Sequence, residues 1–294
     1  MNRTMSPGAM LWALRVAVAG AGVLVGLALS SAGNGRLAAA TVPSVTVWWA
    51  LIGAALVAVV VPGALGLTIV RLSAPIAPIA AAGALLGGAN TALGVGALAL
   101  GLVFAVVAFS AEAGEAMVQG AAYGHEQRFL LRLPAAMTLP VVLSWVVWAG
   151  AAAAAVALLG GRVWLPGGVL AAVGLGGAWL LGRRVHRFSR RWLVVVPAGV
   201  VLHDHVVLGE TLMVPSANVR RCGLAYADTE ALDLTGPAAG HALEVAVGEM
   251  VTPLLAATRA EPKGRAIHAA SFLVAPSRPG RALAALAAAG LPTG

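Results

Sequence analysis

The roughly 180 residues before Arg183 are almost free of ionisable side chains, and they end in Arg183–Arg191, RRVHRFSRR, where five of nine residues are arginine. An apolar block that long cannot be the core of one water-soluble domain. A basic run at its end holds a membrane helix on the side where the protein is made, because Lys and Arg are retained there. The run therefore orients everything upstream in the cell (cytoplasmic) membrane and marks the start of a cytosolic C-terminal domain. Residues 1–185 are expected as a polytopic membrane domain and 186–294 as that second domain.

Composition agrees. Hydrophobic residues make up 60% of the chain and charged residues 10%, against about 25% charged in soluble domains. The net charge of +8 would suggest nucleic acid in a soluble chain. Here much of the excess flanks apolar segments, so topology accounts for it and no nucleic acid is expected. Cys222 is the single cysteine, which rules out an internal disulfide and a Cys-rich metal site.

Apolar runs and turn signals give six expected spans, at about 9–32, 44–70, 73–88, 91–111, 135–159 and 166–182. Arg3 and Arg15 mark the inner end of the first, for which a cleaved signal peptide is the rival reading because Ser30-Ser31-Ala32 resembles a cleavage site. Trp48 and Trp49 read as interfacial aromatics of the second span, Pro62 as a kink within it and Arg71 as its inner end. Gly87-Gly88-Ala89-Asn90 is a turn signal that divides 73–111 into a hairpin. Five spans is the alternative. Six leaves only Arg36 and Arg162 of the flanking cations outside, so six is preferred. Apart from Arg15, the expected spans carry no ionisable side chain, which argues against an ion-coupled carrier.

Ser110–Pro134 is the long polar interruption. Glu112, Glu115, Gln119 and Glu126 recur at helical spacing, so the fourth span is expected to continue outward with one polar face. Met117, Val118 and Ala121 lie on other faces, where a partner can dock. Glu112 and Glu115, with His125 and Glu126, have the composition of a cation or acid/base site. A bundle site of that kind needs a second acidic helix, and none is present.

After Trp192 the period shortens to runs expected as strands: Trp192–Pro197, Val200–Leu202, Thr211–Val214, a hairpin of 232–234 with 243–247, Met250–Leu255 and Ile267–Val274. Ser277 and Pro279 then open a final helix. His203-Asp204-His205 can place two imidazoles on one face of a strand. Without a fixed third ligand it reads as a polar turn, and no metal or other cofactor is expected. Gly20-x-Gly22-x-x-x-Gly26 lies in an apolar helix, so it reads as close helix packing and not as a nucleotide loop.

About seven strands followed by a terminal helix, over Arg190–Leu291, resembles the pleckstrin-homology (PH) superfold. That resemblance implies a bent antiparallel barrel plugged by the helix. The loop Pro197-Ala198-Gly199 lacks the cations that lipid-binding members carry there, so it does not imply phosphoinositide recognition. Tyr123-Gly124-His125-Glu126-Gln127-Arg128-Phe129, with the junction Arg190-Arg191-Trp192 to Pro197-Ala198-Gly199, is similar to uncharacterised multi-pass membrane proteins of high-GC Gram-positive bacteria (actinobacteria). This second resemblance implies no particular activity.

No catalytic constellation stands out. The expected function is a non-enzymatic scaffold or regulatory membrane protein whose PH-like domain and 110–134 segment dock other membrane or cytosolic proteins, or membrane lipids. Arg183, Arg184, Arg187, Arg190 and Arg191, with Glu112, Glu115, Glu126 and Arg128, are the candidate lipid or partner contacts. A small transporter or lipid-handling protein with a cytosolic regulatory domain is the alternative.

Overall fold

A computed structural model describes residues 5–32, 38–258 and 261–294; Arg3 and Arg36 lie outside the described residues. The chain divides into two compact units. The first comprises residues up to Gly120 together with Val141–His186, and the second Ala121–Pro140 with Arg187–Gly294.

The helical unit is built from α1 (Pro7–Ala32), α2 (Ala38–Val60), α3 (Ala64–Ser73), α4 (Ile76–Leu86), α5 (Thr91–Phe109), α6 (Ala111–Gln119), α7 (Ala135–Gly160) and α8 (Trp164–Ser189). With α3 and α4 counted as one broken span, six helices among the described residues are long and apolar enough to cross a membrane. Their outward faces, such as Val16, Val57, Val106 and Val147, are exposed aliphatic side chains, as lipid contact requires.

Two boundaries and the roles of two residues differ from expectation. Pro62 does not kink the second span; it ends it. Proline lacks the amide that would continue the helix and disfavours the helical region for Val61 before it, and extended Gly63 (φ 171°) then restarts the chain as α3. Arg71 consequently lies inside the third span and not at the end of the second. Trp48 is buried in α2 and donates from Nε1 to Gly22 O at 2.9 Å, so it is a packing residue and not an interfacial one. The arginine run does not stop α8 at 182. Arginine is a good helix former, and α8 runs on to Ser189.

Small residues set the packing. Gly22 and Gly26 of α1 sit where a Cβ would be 2.7 Å from Ile52 and 2.7 Å from Trp49. Gly101 of α5 faces the first turn of α4, where a Cβ would be 2.8 Å from Pro78 N. At the opposite end from α6, the turn at Gly88 (φ 86°) and Asn90, which accepts from Leu93 N at 3.1 Å, separates α4 from α5.

Charge inside the spans is spent on helix ends. Arg15 Nε donates to Val59 O at 3.1 Å and Arg71 Nε to Ala108 O at 3.2 Å. These carbonyls belong to the last turns of α2 and α5, which lack intrahelical donors and carry the negative end of the helix dipole. A guanidinium placed there offsets part of its own cost in an apolar surrounding.

The strand-rich unit contains β1 (Gln127–Leu130), β2 (Trp192–Val196), β3 (Gly199–His203), β4 (Leu212–Pro215), β5 (Val219–Leu224), β6 (Leu232–Asp233), β7 (Leu243–Val251), β8 (Leu254–Leu255), β9 (Arg265–Ala266), β10 (Ala269–Val274) and α9 (Pro279–Ala288). One sheet has the order β1-β2-β3-β4, a second β5-β7-β10-β6, and β8 pairs with β9. No strand pair joins the two four-stranded sheets, so among the described residues there is no closed barrel. The expected hairpin of 232–234 with 243–247 does not form either: β6 pairs with β10, in parallel, while β7 lies between β5 and β10. Phe129, Leu193, Val195 and Leu202 of the first sheet share a core with Val245, Phe272 and Val274 of the second and Leu286 of α9. Ser277 does not cap α9, which is preceded by Arg278 without a side-chain cap bond.

Replacing Gly101 with Val puts a side chain against the backbone of Pro78, which cannot move without shifting α4. Overpacking of this kind costs about 1–3 kcal/mol. The expected outcome is a lower thermal unfolding midpoint for the purified protein in detergent, with Gly53→Val, at a position open to space, nearly unchanged.

Candidate functional site

β1 comes from the 110–134 segment, in which the spacing of Glu112, Glu115, Gln119 and Glu126 predicts an outward continuation of the fourth span. Ser110 ends α5 and, by accepting from Ala113 N at 3.1 Å, starts α6 as a separate helix. α6 packs on α1, α3 and α5, with Met117 beside Gly66. Glu115, Met117 and Val118 are buried and Glu112 is half-buried, so Met117 and Val118 are not an open docking face. The apolar side of this short amphipathic helix is used inside the helical unit. Past Gly124 (φ 62°) the chain becomes extended. Gln127–Leu130 then pairs antiparallel with β2, Gln127 opposite Val195 and Leu130 opposite Trp192.

Arg191 is corrected most sharply. It was grouped with the lipid or partner contacts, yet it is 1% exposed. Its Nε and Nη2 reach the two oxygens of Asp204 at 2.8 and 2.7 Å, and Nη1 and Nη2 donate to Arg132 O at 2.7 Å and Thr235 O at 3.1 Å. Its own carbonyl accepts from Leu131 N at 2.9 Å. Asp204 is fully buried and also accepts from Val206 N at 3.0 Å. A buried charge needs this degree of satisfaction to be tolerated. The side chain is therefore a clamp on four chain segments and unavailable to any ligand.

Arg183, Arg184, Arg187 and Arg190 remain exposed. Arg187 Nη2 donates to His205 O at 3.1 Å, and the Arg183 guanidinium lies 4.6 Å from the Trp179 ring centroid. Glu126 and Arg128 form an ion pair at 2.5 Å. The Arg128 guanidinium also lies 5.2 Å from the Trp192 ring and 6.0 Å from that of Tyr123.

Beside Trp192 the strand register sets His203, with rings nearly parallel and 5.0 Å apart. His205 meets His203 edge-on at 4.4 Å, and Thr211 Oγ1 lies 3.1 Å from His203 Nδ1. Tyr123, Arg128, Trp192, His203 and His205 thus form one contiguous stack at the outer face of the first sheet. Tyr123 is 79% exposed at one end. Sequence reasoning missed this grouping, because Trp192 and His203 are joined only by strand pairing. The short apolar run Phe129-Leu130-Leu131 between Arg128 and Arg132 was the available signal for β1.

Among the described residues no group of three or more His, Cys, Asp or Glu is arranged to hold a metal ion. Asp204, between the two histidines in sequence, is committed to Arg191. Burial pushes the Cys222 thiol up to about 11, so at neutral pH it is a poor nucleophile.

Burial, helped by His205 and Arg190, pulls His203 down to about 4. Its ordinary value is about 6.5, so between these two pH values the unfolded chain binds a proton that the folded one does not. Stability from this group is complete above about pH 6.5 and is lost as pH falls toward 4. Replacing His203 with Gln is expected to flatten the fall in unfolding midpoint between pH 7 and pH 4.5, read by tryptophan fluorescence.

Compared with known proteins, the chain matches no family model, no curated protein and no solved structure.

Proposed function

We propose that this protein is a non-enzymatic scaffold or regulator of the cell membrane that presents its strand-rich unit in the cytosol to partner proteins or anionic lipid. The observation that carries this reading is the stack of Tyr123, Arg128, Trp192, His203 and His205 on a rigid sheet. Tyr, Trp and Arg are the side chains that dominate recognition surfaces, since each offers large contact area with a polar end. Arg128, Trp192 and His203 are held in register by β1, β2 and β3, so little ordering cost is left for binding there. The sheet beneath is fixed by the Arg191–Asp204 clamp at the points where the chain enters α7 and leaves α8. Two stacked sheets with a terminal helix also support a PH-like relation, extended by β1 as an added edge strand.

The test is crosslinking in cells followed by mass spectrometry, comparing the wild type with Tyr123→Ser/Arg128→Glu. Loss of central aromatic and arginine contacts weakens such interfaces by about 2 kcal/mol or more, roughly 30-fold. Crosslinked partner proteins are expected to fall accordingly while membrane insertion is unchanged. Recovery of the same partners from the variant would contradict the reading.

A further inference from the structure

Trp179, Arg183, Arg187 and Arg190 follow one another at intervals of four, four and three residues along α8 and the turn that ends it. Residues so spaced lie on one face of a helix. All four are exposed. α8 rises about 1.5 Å per residue, which puts the three cations roughly 6, 12 and 16 Å beyond Trp179. Tryptophan near the end of an apolar span sits at headgroup level, and the headgroup layer is about 5–7 Å thick on each side of a bilayer. Arg183 therefore falls within that layer. Arg187 and Arg190 stand at its aqueous edge, near enough to feel the negative surface potential, which decays over about 8–10 Å.

Arg183, Arg187 and Arg190 differ from Arg191 and Arg128 in how they are used. Arg191 is consumed by Asp204 and Arg128 by Glu126. Among the described residues no carboxylate lies within ion-pair distance of Arg183, Arg187 or Arg190. Two of them are nonetheless held in place: Arg183 lies over the Trp179 ring at 4.6 Å, and Arg187 donates to His205 O at 3.1 Å. A ladder of guanidinium groups without carboxylate partners, two of them held in place and rising from an interfacial tryptophan, has the charge and spacing to take phosphate oxygens in paired hydrogen bonds.

We propose that this face of α8 binds the headgroup of an anionic phospholipid, with Arg183 and Arg187 on either side of the phosphodiester and Arg190 adding to the attraction. The proposal deepens the docking reading by naming one ligand class, and the two can fail separately. Each arginine near an anionic surface strengthens binding by about fivefold.

The experiment titrates the full-length protein in detergent with phosphatidylglycerol, and separately with phosphatidylcholine, counting bound lipid by native mass spectrometry. The wild type is expected to prefer phosphatidylglycerol. Arg183→Gln/Arg187→Gln/Arg190→Gln is expected to lose that preference, weakening roughly a hundredfold. The matching triple lysine variant is expected to stay within about fivefold of the wild type. Arg220→Gln/Arg221→Gln, which removes two cations on β5, is the control for charge loss elsewhere and is expected to bind as the wild type does. Should the triple glutamine variant fail to fold, Arg187→Gln alone carries the comparison, with about a fivefold loss expected. Equal binding of phosphatidylglycerol by wild type and glutamine variants would overturn the site. So would a wild type without preference, or displacement of phosphatidylglycerol by millimolar inorganic phosphate, which would make free phosphate the ligand. Lost lipid preference with crosslinked partners intact would establish this site independently of protein docking.

Discussion

The strand-rich unit depends on a buried pair, Arg191 with Asp204. Every nitrogen of the guanidinium has an acceptor: two carboxylate oxygens and the carbonyls of Arg132 and Thr235. These partners come from β1's exit, the β3–β4 loop and the segment after β6. Taking two charges out of water is expensive, and their attraction repays the cost only when geometry and further hydrogen bonds are good. What the pair contributes above all is position. It holds Leu131–Pro134, which leads into α7, against the start of β2, which follows α8. Leu131 N on Arg191 O, Arg132 N on Ala275 O and Ala135 N on Pro237 O complete the same seam.

The seam explains why two stretches separated by an α-helical hairpin behave as one folded unit. β1 supplies an edge strand whose Phe129 enters the core while Arg128 turns outward to Trp192. Arg128 joins the Trp192–His203–His205 stack only because β1 is there. Structure and proposed function thus meet in a four-residue strand.

Much of the architecture was legible in the sequence. Six apolar helices, the turn at Gly87–Asn90, the β2–β3 hairpin around Pro197-Ala198 and the final helix all follow from periodicity and turn chemistry. The errors share a physical cause: they lie where a residue's role is set by something distant in sequence. Arg191 belongs to a run whose composition signals topology, and nothing local distinguishes it from Arg190; only the fold brings Asp204 to it. Phe129-Leu130-Leu131 falls in the polar interruption before an apolar helix, and the strand it pairs with lies more than sixty residues on, so no strand is expected there from local sequence. β5, Val219–Leu224, contains Arg220 and Arg221, which broke the apolar pattern that marks a strand. Pro62 was read as a kink because the apolar run continued past it, yet Gly63 removed the reason for the helix to continue. The absence of charge inside the spans was overstated for the same reason, since moving that boundary brings Arg71 into the third span, where it caps α5.

Hydrogen exchange in the full-length protein, read on peptides covering Gln127–Leu131 and Trp192–His203, tests most directly whether Arg191 and Asp204 hold the two segments together. In the wild type both peptides should exchange in the same slow class, as parts of one cooperative unit do. Replacing Asp204 with Ala leaves a buried guanidinium without its counter-ion, at a cost of about 3–5 kcal/mol, and should accelerate both together by a similar factor. A fast β1 peptide beside a protected β2–β3 peptide in the wild type, or a variant in which neither changes, would contradict the account.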